Sequence, residues 1–126
     1  MAVHLDREGA VLSLIIDAPA GSDDPERYIA ALHEISGVTD PFVLLVTFRI
    51  PLDLPQVQRK AQNLWFKATR EKMNATCRAT AIVRKNPSEE MQRTFSGLWS
   101  FPVLVTDRSD AAELFLAAHL PEEAGS

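Results

Sequence analysis

The stretch FPVLVTDRSDAAELFLAAHL, residues 101–120, sets a short apolar run against a polar turn and then an apolar-faced helix. Residues 102–106 read as a strand. Asp107 or Ser109 caps the helix, and Ala111, Leu114, Phe115 and Ala118 recur at the spacing of its buried side. A strand running straight into a helix is half of a crossover unit, and the rest of the chain repeats it.

Upstream, residues 78–83 (RATAIV) read as an interior strand, and Asn86-Pro87-Ser88-Glu89 as a helix cap with a proline inside it. Met91, Phe95 and Leu98 mark the apolar face of the helix that follows. Before these, PFVLLVTF (residues 41–48) is a continuous apolar run, the pattern of a strand buried on both faces. Asp53, with Pro55 and Gln56 behind it, caps a long helix reaching about Met73. Val57, Ala61, Leu64, Trp65, Ala68 and a snorkelling Lys72 form its predicted inner side. Earlier still, Asp24 caps a helix with Pro25 at its first position; Tyr28, Ala31, Leu32 and Ile35 share a face, and Gly37 ends it. The chain opens with a strand at residues 3–7 and a turn at Glu8-Gly9. A second strand follows, with Leu12, Leu14 and Ile16 on one face and Val11, Ser13 and Ile15 on the other, so the pair is a hairpin.

The order β-β-α-β-α-β-α-β-α predicts an α/β fold: a single three-layer sandwich around a mixed, mostly parallel five-stranded sheet. About four helices lie on its two faces, with right-handed crossovers and one antiparallel strand from the opening hairpin. At 126 residues the chain suits one domain, over residues 1–121, with a flexible tail at 122–126.

Charge is distributed in blocks. Residues 1–55 carry a net −6, residues 56–93 a net +6 and the remainder −4, for −4 in all. An acidic total with no exposed aromatic set argues against nucleic acid as a partner. A single cysteine, Cys77, excludes an internal disulfide and suits a reducing compartment. The first residues lack a signal pattern, and the longest wholly apolar run, residues 42–46, is far too short to cross a bilayer. A cytoplasmic protein without a transmembrane segment is expected.

Side chains able to do chemistry are few and scattered. Cys77 opens an interior strand, the setting of a small buried residue rather than a nucleophile. His4, His33 and His119 share no ligand spacing, and Asp23-Asp24 and Glu89-Glu90 open helices, where carboxylates offset the dipole. The five glycines form no phosphate-cradling run. No catalytic, cofactor-binding or metal-ligating residue is therefore assigned.

Two basic groups remain as candidate contacts. Arg59, Lys67 and Arg70, beside Lys60, lie along the long helix as a solvated face or as a surface for an acidic partner. The carboxyl ends of the strands, Thr47-Phe48-Arg49, Arg84-Lys85-Asn86 and Thr106-Asp107-Arg108, define the rim where open α/β sheets take their ligands. Arg49, Arg84, Lys85 and Arg108 there suit an anion or serve as ordinary loop charges.

With its opening hairpin, the strand FVLLVTF, the long helix carrying Trp65 and Phe66, and CRATAIVRK leading to FPVLVTDRSDAAELFLAAHL, the chain resembles the STAS domain, in its SpoIIAA-like branch, over residues 3–120. The resemblance implies a non-catalytic regulatory or interaction module, binding a protein partner or a second copy as a homodimer. The alternative it leaves is a carrier or sensor of a small anionic or lipid-like ligand at the strand-end rim. Antagonists of anti-sigma factors with this fold are switched by phosphorylation where the third strand turns into its helix. Here that region reads VTFRIPLDLPQ, whose sole hydroxyl is Thr47, so the phospho-switch is not carried over.

Overall fold

Each strand in the computed structural model pairs with the one before it in sequence. The structure describes residues 3–18, 21–52 and 54–121. The elements are β1 (Val3–Glu8), β2 (Val11–Ile16), α1 (Asp24–Ser36), β3 (Phe42–Phe48), α2 (Gln56–Thr76), β4 (Cys77–Val83), α3 (Glu89–Ser96), β5 (Val103–Thr106) and α4 (Ser109–Ala117). They form one five-stranded sheet of order β1-β2-β3-β4-β5. β1 and β2 are antiparallel and the remaining pairings parallel, so the expected mixed α/β sandwich is the observed one.

The hairpin closes through Gly9-Ala10, between the paired Glu8 and Val11. Gly9 takes φ 60°, which a two-residue turn asks of its first position and a side chain resists. Each later strand then steps one place across the sheet in the same direction. Right-handed crossovers that always step the same way place their helices on one face. Accordingly α1, α2 and α3 share a core with Leu12, Leu14, Ile16, Phe42, Leu44 and Val46. Helix α4 follows the last strand and crosses to the opposite face, where Ala112 and Leu116 meet Val43, Ala79, Ala81 and Val83. The alanines let its backbone come close, but one short helix covers only part of that face.

Two helices expose residues that the sequence pattern assigns inward. In α2 the inner side carries buried Trp65 and Met73, with Ala61, Gln62, Phe66 and Thr69 half-buried, whereas Val57 and Leu64 are 73% and 66% exposed. Aromatic area decides the phase: Trp65, Phe66 and Trp99 meet edge to face at 5.4, 5.5 and 6.5 Å, outweighing one leucine and one valine. Polar pins hold the same rotation, since Tyr28 Oη donates to Gln62 (2.7 Å) and the Trp65 indole donates to Ser36 Oγ (3.2 Å). In α4 the buried pair is Ala112 and Leu116, while Leu114 is 74% exposed. Both phases of that alanine-rich helix are apolar, so docking against β4 chooses between them.

Some caps also shift. Asp24 is the first residue of α1, not its cap, and its buried carboxylate accepts from the Gly21 amide (2.8 Å). Arg108 occupies the cap of α4 in place of Ser109 or Asp107. Ser88 caps α3 by accepting from the Met91 amide (3.1 Å). Asp53 and the tail 122–126 lie outside the described residues. Among those described, no helix is long and apolar enough to cross a membrane.

Candidate functional site

Where β3 and β4 end, their chains leave the sheet in a common direction and open a pocket. Thr47 pairs with Val83 at that end. The Arg49 amide bonds to the Ile16 carbonyl (2.8 Å) and the Arg84 amide to the Thr106 carbonyl (2.9 Å), which fixes both arginines at the rim. Beyond Arg49 the segment Ile50-Pro51-Leu52 crosses toward α2. Beyond Arg84 the chain turns through Asn86, whose φ of 55° is one that asparagine tolerates better than most side chains. The hollow between these two exits and the helices α1, α2 and α3 has a volume of about 600 Å³. That lies within the range of small-molecule sites.

Its walls are mainly apolar: Phe48, Ile50, Pro51, Leu52, Leu54, Ile82 and Phe95, with the ring of Tyr28. Among the described residues the polar lining is Arg49, Arg84, Lys85, Gln62 and Asn86, three cations and no carboxylate. The cations are not equivalent. Arg49 is paired through Nη1 with Asp17 Oδ2 at 2.9 Å, and that hydrogen bond is the main reason the Asp17 carboxyl titrates below its usual range. Lys85 is exposed. Arg84 is partly buried, and its Nε is a fully buried donor with no acceptor among the described residues. A buried guanidinium N–H without a partner costs about 1–3 kcal/mol, and folded chains rarely leave one. Tyr28 brings no negative charge, because burial pushes its hydroxyl up to about 12 and keeps it a donor to Gln62.

Of the residues singled out from sequence, the structure gathers Arg49, Arg84 and Lys85 around this pocket and separates the others from it. Thr47 sits on β3 in phase with Val43 and Leu45, facing the α4 side of the sheet. Arg108 is held away by Asp110, with Nε to Oδ1 at 3.2 Å and Nη2 to Oδ2 at 2.7 Å. Arg59, Lys67 and Arg70 project from the exposed side of α2, outside the pocket lining, and Arg59 Nη2 donates to the Leu54 carbonyl (3.2 Å). Sequence reasoning missed Tyr28, Gln62 and Phe95 as lining residues. The helical phase of Tyr28 and Phe95 shows that they turn inward, but not that the space before them is open.

Elsewhere Cys77 is buried, with Sγ 3.3 Å from the Ala79 carbonyl and 3.4 Å from Thr80 Oγ1. Desolvation pushes its thiol up to about 11, against the smaller lowering effects of those contacts and Arg78. Among the described residues no group of three or more His, Cys, Asp or Glu is placed to hold a metal ion. No protein-family model, curated protein or solved structure gives a significant match to the chain.

Proposed function

We propose that this chain is a STAS-like binding module that takes a small amphipathic anion at the ends of β3 and β4. The reading rests on one observation: a mainly apolar hollow whose charged lining, among the described residues, is wholly cationic and includes the buried Nε of Arg84, which has no partner among them. An apolar chain or ring would lie among Phe48, Leu52, Leu54, Ile82 and Phe95, while a carboxylate, sulfate or phosphate head would accept from Arg84. Lys85 and the Asp17-paired Arg49 add positive potential at the mouth. Such a module senses or carries its ligand. The resemblance to the STAS family, whose members regulate by binding, supports the same reading.

Calorimetric titration with decanoate, decanol and inorganic phosphate separates the contributions. Decanoate is expected to bind, and the alcohol and the bare anion each at least about tenfold more weakly, since each lacks half of the recognition. Arg84→Met should weaken decanoate by about 1.5–3 kcal/mol, roughly ten- to hundredfold, while leaving decanol unchanged. Equal decanoate affinity in the variant and the wild type rules the proposal out.

A further inference from the structure

The face of the sheet carrying α4 is only half covered, and beside the helix runs a groove of about 610 Å³ over β1 and β2. Its floor is mostly apolar, built from Val11, Leu45, Leu116 and Leu120 with Ser13 among them. Among the described residues its charged rim is wholly acidic, Asp6 and Glu8 on the strand side and Glu113 on the helix side. All three carboxylates are exposed, and among the described residues none takes part in an ion pair.

The opposite chemistry lies on the far side of the molecule. The outward stripe of α2 repeats apolar, basic, apolar, basic at Val57, Lys60, Leu64 and Lys67, the spacing of one face of a helix. Val57 and Leu64, seven residues apart and so about 10 Å along the axis, are among the most exposed large apolar side chains of the chain. Lys60 and Lys67 are exposed and likewise take part in no ion pair among the described residues. An apolar floor between acidic edges and an apolar stripe between lysines match both in hydrophobic character and in sign of charge.

We propose that α2 of one copy docks into the α4-side groove of a second copy, Val57 and Leu64 on the floor and Lys60 and Lys67 against Asp6, Glu8 and Glu113. The two surfaces differ, so the contact is heterologous: every bound copy still offers a groove at one end and a stripe at the other. Association then proceeds by successive addition and is weakened by salt.

Sedimentation velocity tests this with two double variants, Lys60→Glu/Lys67→Glu and Asp6→Lys/Glu8→Lys, whose substitutions are all at exposed positions. Wild type at low salt should grow beyond a dimer as concentration rises from about 10 µM to 1 mM, and revert toward monomer as salt shortens the Debye length from about 10 Å to 3 Å. Each variant alone should stay monomeric, because one of its two surfaces is reversed. Combined, they restore opposite charge in both directions, the reversed stripe of the first against the reversed groove of the second and the intact groove of the first against the intact stripe of the second. Contacts between like variants remain repulsive, so the mixture should regain association with the two variants alternating. Wild type that stays monomeric throughout, or a mixture that forms no complex, overturns the proposal. So does a monomeric wild type whose groove binds a lysine-rich amphipathic peptide, which would make another protein's helix the occupant.

Discussion

Gln92 allows a sharp test of how this sheet ends. Strand β5 is the last of the parallel series, and its neighbour β4 uses the carbonyls of Pro102 and Thr106. The backbone groups of Val103 and Val105 therefore face outward from the edge. The Gln92 side chain, on α3, meets both: its Nε2 donates to the Val103 carbonyl and its Oε1 accepts from the Val105 amide at 2.8 Å. One side-chain amide thus takes the place of a peptide in a missing sixth strand, and Ser96 Oγ at 2.9 Å steadies it. Gln92→Leu keeps the packing volume and removes both bonds. At about 0.5–1.5 kcal/mol for each, the expected loss is about 1–3 kcal/mol. For a domain of this size that lowers the melting temperature by roughly 3–12 °C. Gln92→Glu at neutral pH retains the bond to the Val105 amide but faces the Val103 carbonyl with a second acceptor, so its loss should fall between the two and shrink as acid protonates the carboxyl. Thermal denaturation followed by circular dichroism, with hydrogen exchange at the Val105 amide, reads both effects. A Gln92→Leu protein melting within about 1 °C of wild type, with Val105 equally protected, would refute the edge-pairing argument.

Further outcomes follow from single groups. The folded state holds Tyr28 up to about 12 and Cys77 up to about 11, against ordinary values of 10.0 and 9.0. Groups raised in the folded state lend stability that is complete below the unfolded values and is lost as pH climbs through the folded ones. Urea midpoints should therefore fall progressively from about pH 9 to pH 12, and Tyr28→Phe should flatten the upper part of that decline. The Cys77 thiol should resist a thiol reagent at neutral pH in the native protein and react at once in denaturant; fast native labelling would contradict its burial. Gly9→Ala should cost about 1 kcal/mol because it forces a side chain into φ 60° although nothing lies within 4 Å of the added atom, and Gly9→Asn should cost less. Equal melting temperatures for the two would show that the turn relaxes.

Strand and helix order could be read from the chain because β2 to β5 are mainly apolar runs and β1 is marked by the Glu8-Gly9 turn that closes it onto β2. Tyr28, Ala31, Leu32 and Ile35 of α1 likewise fall on the buried face as their spacing requires. Phase failed where composition left a choice. In α2 the competition between Leu64 and the Trp65-Phe66 pair is settled by Trp99, which lies far along the sequence. In α4 apolar residues surround the helix, and only the small side chains of β4 select Ala112 and Leu116. The rim arginines were visible as charges directly after apolar strands. Their separation into a pocket pair and an outlier was not, because it depends on Arg108 finding Asp110 two residues on and Arg49 finding Asp17 across the sheet. A pocket is a space between distant segments, and no local pattern encodes it.

Amide chemical-shift mapping of a decanoate titration on the intact chain examines the strand-end site most directly. Binding there should move the resonances of Phe48, Arg49, Leu52, Arg84, Lys85 and Phe95 together, with one saturation curve, and Arg84→Met should shift that curve to higher concentration. Shifts centred instead on Val11, Leu45 and Leu116 of the opposite face, or unchanged spectra at saturating decanoate, would contradict a binding site at the ends of β3 and β4.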